Sequence, residues 1–203
     1  MLEGLFPGLT GELVARGCSL GDMLADARIC IGGHRFAPGP SGVQMLNVSR
    51  PALEQAIRRR VLDLPPVRPV GSTDVAGLVT DRAQSRVLGT RVIGRADGSA
   101  EETVLGDLVV DATGRGSRLP VWLESLGRPR PETERLFVDV GYASRQHRLA
   151  PGALDGGIGI LSGPTPWHPR GGALALIEDG RCLVPSLLAI DGAPAIARVG
   201  RRV

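Results

Sequence analysis

Between Asn47 and Leu64 (NVSRPALEQAIRRRVLDL) apolar residues recur at Leu53, Ile57 and Val61, a spacing of four that lines one face of a helix. Ser49 is placed to cap the start, Pro51 suits the first turn, and Pro65 and Pro66 end the element. Upstream, residues 5–27 carry Leu13, Val14, Leu20, Met23 and Leu24 around Gly17 and Gly21, which predicts a short helix with a broken continuation. DARICIGGHRF (26–36) predicts a strand, followed by the loop APGPSG.

After the two prolines the period changes. VRPVGSTDVAGLVTD, RVLGTRVIGRADG and ETVLGDLVVDATG each predict a strand, punctuated by Asp81–Ala83 and by Asp97–Gly98. Together they predict a β-meander that feeds a last, fully buried strand at Leu108 to Asp111. PVWLESL (120–126) predicts a short helix with Trp122 and Leu126 on one side and Gly127 closing it. The proline-rich, charged stretch Arg128 to Glu134 suits a crossing between domains. Beyond it RLFVDVGYASRQHRL, GGIGIL and GGALALIED predict strands of one antiparallel sheet, and DGAPAIARVGRRV shows neither period. No repeat at solenoid spacing is present. The expected fold class is therefore mixed α/β (α+β), with a first domain over 1–130 and a partial β-sheet domain over 131–203.

Composition narrows the function. The 203 residues are 42% hydrophobic but 3% aromatic, with 29 glycines and 16 prolines, so packing rests on Leu, Val, Ile and Ala in a globular, loop-rich chain. The net charge is +3, every basic side chain is arginine, and the arginines alternate with acids instead of forming one basic stripe with stacking aromatics. That pattern argues against nucleic-acid binding. Three cysteines without a CxxC pair indicate neither a disulfide framework nor a zinc ribbon. Cys18, Cys30 and His34 lack a suitably spaced fourth ligand, so no metal is expected. No apolar run has the length of a membrane span, and Met1 is not followed by a cationic leader, so a cytoplasmic location is expected.

The residues that carry chemistry lie in DLVVDATGRGSRLPVWL. A strand that ends in small residues opens space at its carboxyl end, where ligands of open α/β sheets collect. Thr113, Gly114 and Gly116 allow close approach to the backbone. GRGSRL is the front half of a dinucleotide fingerprint, with Leu119 at the last small position. A tight strand-to-helix turn with glycines for geometry alone accounts for the same residues.

The order of parts resembles the FAD-dependent monooxygenases of the aromatic-hydroxylase type: NVSRPALEQAIRRRV, STDVAGLVTD, a hairpin, DLVVDATGRGSRLPVWLESLG and FVDVGYASR. In that family an RxxLxxxL helix lies beside the flavin; Arg50, Leu53 and Ile57 match it, with isoleucine at the last position. The strand bearing Asp74 and Val75 corresponds to the one whose backbone meets the adenine. The DATG turn corresponds to a second flavin motif, GADGxxSxVR: Ala112, Gly114 and Ser117 agree, whereas Asp111, Thr113 and Pro120 replace Gly, Asp and Arg. The resemblance thus implies FAD as cofactor, with Arg50, Asp74, Val75, Asp111, Thr113 and Gly114 as its contacts. It also implies NAD(P)H as reductant, a small organic substrate, and hydroxylation or epoxidation by a flavin hydroperoxide.

The family's strand–GxGxxG–helix and its GD-type motif are not found in these residues, and GGIGILSG leads into PTPWHP and cannot open a helix. The expectation is a partial flavoprotein fold that lacks the N-terminal βαβ unit, holds FAD weakly or not at all by itself, and self-associates or takes a complementing chain. A non-catalytic remnant that binds no FAD is the alternative. A flavin reductase or a halogenase is a third reading, although the chain has no lysine to serve a halogenase. Locally, Arg50 fits either a cofactor phosphate or solvent, and Asp111 either acid–base work or a hydrogen-bonded turn. Tyr142 and Arg145 fit either a ligand-facing or a solvent-facing side of their strand.

Overall fold

A computed structural model describes residues 2–134, 140–165 and 167–189. The elements in chain order are α1 (Leu2–Leu5), α2 (Leu9–Ala15), β1 (Ser19–Asp22), β2 (Ala27–Ile31), β3 (His34–Arg35), β4 (Gln44–Asn47), α3 (Arg50–Leu62), β5 (Thr73–Thr80), β6 (Val87–Gly94), β7 (Glu101–Leu105), α4 (Leu119–Ser125), β8 (Val140–Arg148), β9 (Gly159–Ser162), β10 (Arg170–Leu176) and β11 (Arg181–Ala189). They divide into two compact bodies: residues up to 67 with those from 136 onward, and 68–135.

The first body is built on a six-stranded sheet of order β3-β2-β9-β10-β11-β8, antiparallel except where β2 runs parallel to β9. That parallel pairing is why the bodies do not follow the division expected at residue 130: a strand from the first forty residues is hydrogen-bonded into the sheet of the last seventy. A separate ribbon pairs β1 with β4. Against these lies a helical core in which Leu9 and Leu13 of α2, Cys18 and Ala56 of α3 are buried, with Leu53 and Ile57 packed on it. The i, i+4 stripe of α3 therefore does what its spacing predicts. Ser49 caps the helix, its hydroxyl accepting from the Ala52 amide at 3.3 Å.

Several expectations are revised. The short helix expected within residues 5–27 forms as α2, but its continuation is the strand β1, because Gly17 takes a left-handed φ of +89° at the end of α2 and turns the chain into extended backbone. Residues 26–36 form a hairpin, not one strand: Gly32 and Gly33 both adopt positive φ, as a two-residue turn requires, and Ile31 pairs with His34. Strands β4 and β11 carried no clear alternation and were not expected. The tail from residue 190 lies outside the described residues.

The second body is the expected meander, β5-β6-β7, followed by an irregular segment and α4. Gly89 makes it possible, since a Cβ there would sit 2.1 Å from the Val104 carbonyl oxygen on the neighbouring strand. The fully buried strand expected at Leu108 to Asp111 is not formed. That stretch is irregular and open, with Leu108 81% and Val110 75% exposed, because among the described residues no strand pairs with it.

Candidate functional site

The sequence places five of six candidate residues in the second body, and three of them line one groove. Val75 on β5 and Asp111 and Thr113 on the turn border a cleft of about 730 Å³, walled by Leu78, Leu108, Val110 and Trp122. The walls are mostly apolar because the exposed run from Val104 to Val110 forms one side and the face of the meander another. Trp122 comes from α4, where Arg118 stacks 6.0 Å from its ring centre.

The turn is pinned by Asp111. Its carboxylate accepts from the Thr113 amide at 2.9 Å, the Thr113 hydroxyl at 2.5 Å and the Ser117 hydroxyl at 2.6 Å. The Ser117 bond, then those from Thr113, hold the carboxyl below its ordinary range. An ionised group tied to its own loop is a turn carboxylate, which favours the second of the two readings of Asp111. Gly114 follows with φ +67° and nothing within 4 Å of where a Cβ would be, so the backbone there is open on one side.

Asp74 and Val75 behave differently although adjacent. Alternation along β5 sends Asp74 away from the groove, where its carboxylate holds Arg95 through Nε at 3.0 Å and Nη2 at 2.7 Å. This pairing lowers the carboxyl's pKa and raises that of the guanidinium. Between Val75 and Gly77 the register with β6 shifts, leaving Ala76 as a bulge. Bulges concentrate beside functional sites, and a glycine inside a strand pattern is their sequence mark, so this feature was legible in Gly77.

Arg50 belongs to the first body, at the first position of α3. Its guanidinium is 88% exposed and bonded to Glu54 at 2.7 Å, which raises its pKa. The first body has its own apolar groove, about 350 Å³, over the sheet face at Tyr142, Leu161, Pro164 and Pro185. Tyr142 borders it, whereas Arg145 is exposed and outside it. Among the described residues no group of three or more His, Cys, Asp or Glu is arranged to hold a metal, and Cys18, Cys30 and Cys182 are free thiols. No described helix is long and apolar enough to cross a membrane.

The mixed α/β architecture with several sheets is similar to part of the fold of solved flavin-dependent enzymes. A flavin-dependent brominase, Bmp2, solved as a triple mutant, superposes with a TM-score of 0.59 at 17% identity over 91% of this chain and 44% of that one. PqsL, a probable FAD-dependent monooxygenase from Pseudomonas aeruginosa, gives 0.58 at 16% identity over 90% and 46%. These likenesses are of fold. In sequence, the chain is 34% identical over 206 residues to Protein Rv3254 of Mycobacterium tuberculosis, which covers 95% of this chain and 42% of that protein. The chain thus spans less than half the length of the relatives it matches. No family model matches the sequence.

Proposed function

We propose that the chain is a portion of an FAD-dependent monooxygenase-like oxidoreductase, and that the groove of the second body receives the adenosine end of the cofactor. The observation that carries this reading is the convergence of Val75, Asp111 and Thr113, singled out by motif order alone, on one cleft. Its size lies within the range of roughly 300–1,000 Å³ usual for small-molecule sites, and apolar walls with a few polar groups suit a flat heteroaromatic ring. The fit is made by this chain's own atoms. Val75, Val110 and Trp122 offer apolar contact, and the Ala76 bulge offers backbone groups released from the ladder. Asp111 fixes the turn so that Thr113 and Gly114 keep their place. Arg50 belongs to the other body and is a candidate phosphate contact by resemblance alone, an interaction that requires Glu54 to release it.

When bound, FAD supplies the chemistry of hydride acceptance from NAD(P)H and dioxygen activation for transfer of one oxygen atom to a small organic substrate. The open sheet-face groove at Tyr142 and Leu161 in the first body is a separate apolar surface suited to contact with a small organic molecule. The fold is shared by a brominase and by a probable monooxygenase, and the motifs report a flavin and not the reaction.

The test follows Trp122 emission in a Trp167→Phe background while the chain is titrated with FAD and with adenosine diphosphate. Weak, saturable quenching by both is expected, because the chain spans under half of its relatives, and it is expected to disappear when Thr113→Leu fills the groove without adding an emitter. Quenching that survives Thr113→Leu places the nucleotide elsewhere. No saturable response selects the alternative, a non-catalytic fragment that binds no FAD, and a stoichiometric yellow complex overturns the expectation of weak binding.

A further inference from the structure

The first turn of α3 is completed from far away in the chain. A helix N-terminus leaves amides without intrahelical partners, and a capping box satisfies two of them: the cap hydroxyl takes the amide three residues on, and a Glu or Gln at that position reaches back to the cap amide. Ser49 performs the first half toward Ala52, but Ala52 has no carboxylate for the second. Glu178 performs it instead. Its Oε2 accepts from the Ser49 amide at 3.0 Å and its Oε1 from the Ser49 hydroxyl, across 129 positions of sequence. The Cys18 thiol, just after α2, donates to the same carboxylate at 3.8 Å.

The surroundings make this a built contact. Ser49 is 4% exposed, so its amide has no access to water as an alternative partner. Glu178 sits in the tight turn joining β10 to β11, where Asp179 and Gly180 both take left-handed φ (+61° and +63°) and the Ile177 amide closes on the Arg181 carbonyl. Gly17 lies against that turn, its Cβ position 3.7 Å from the Asp179 amide nitrogen. Burial pushes the Glu178 carboxyl up and the Ser49 bonds pull it down, with the bonds prevailing.

We propose that Glu178 is the missing half of the α3 capping box, and the positioning residue that fixes the first turn of α3, with Arg50, to the six-stranded sheet. The consequence for a cofactor rests on the flavin reading of Arg50 given above; the cap itself does not. It assigns the β10–β11 turn a function in shaping a helix from the other end of the chain.

Hydrogen exchange of the 203-residue chain tests it. Glu178→Ala is expected to speed exchange of the Ser49, Ala52 and Leu53 amides roughly five-fold, the usual worth of a cap, while the β9–β10 ladder keeps its protection. Glu178→Gln keeps one acceptor and is expected to fall between. Ala52→Glu, added to Glu178→Ala, supplies the carboxylate locally and is expected to restore most of the loss. The proposal is overturned if Glu178→Ala leaves those amides unchanged, if exchange rises equally throughout the first body, or if Ala52→Glu brings no recovery. Flavin titration of Arg50→Ala reads the other question separately: an unchanged response beside a working rescue refutes the cofactor reading of Arg50 and leaves the cap standing.

Discussion

The two bodies bury different things. In the first, Leu9, Leu13, Cys18, Ile29, Ala56, Ile158, Ile177 and Cys182 are buried, and a helix pair and a sheet enclose them. In the second, the described residues that are buried are Gly77 and Gly89, where strands approach closely, while Val104, Leu105, Leu108 and Val110 face outward. The first body has side chains inside, as a self-supporting fold does. The second presents its apolar surface as a groove and an open flank.

The largest expected effect that sharpens this contrast is Leu13→Ala. Leu13 has no exposed surface, and its truncation is expected to cost about 3 kcal/mol in a denaturant melt, with the α2–α3 amides losing protection first. Gly89→Ala should be the main way to break the second body. A methyl group driven into the Val104 carbonyl forces β6 from β7 at a cost of about 2 kcal/mol, visible as exchange at Thr90 and Val92, with the first body unaffected. A smaller effect is expected from pH. The carboxyl of Asp111 is depressed, so its bonds hold the turn above the ordinary aspartate range and are lost as pH falls through the folded value. The Thr113 amide resonance should therefore shift below about pH 4, and Asp111→Asn should abolish the shift. The least effect on stability belongs to Leu108→Ser, under about 0.5 kcal/mol, because Leu108 is already in water. The same change should weaken the nucleotide-dependent quenching of Trp122; a large loss of stability instead would mean that the flank is core.

How much of the site was readable follows the range of each signal. Ser49, Pro51 and the Leu53/Ile57 stripe define α3 within thirteen residues, and the helix forms where they place it. Asp111, Thr113 and Ser117 are close enough in sequence that a hydrogen-bonded turn could be expected, and it is found. Asp97–Gly98 marks the β6–β7 turn, with Gly98 at φ +77°. In contrast, Leu108 to Val110 has the composition of a buried strand, but burial needs neighbours, and a run of apolar residues says nothing about whether any are present. The hairpin at Gly32–Gly33 was written in two glycines but hidden by the apolar residues on either side.

Signals close in sequence therefore set the helix and its N-terminal serine cap, the strands of the meander and the Asp111 turn. The parallel pairing of β2 with β9, the cleft that Val75 and Thr113 share with Trp122, and the completion of the α3 cap by Glu178 arise in the folded chain. Those pairings close long stretches of chain, and no local propensity selects the partner at the far end.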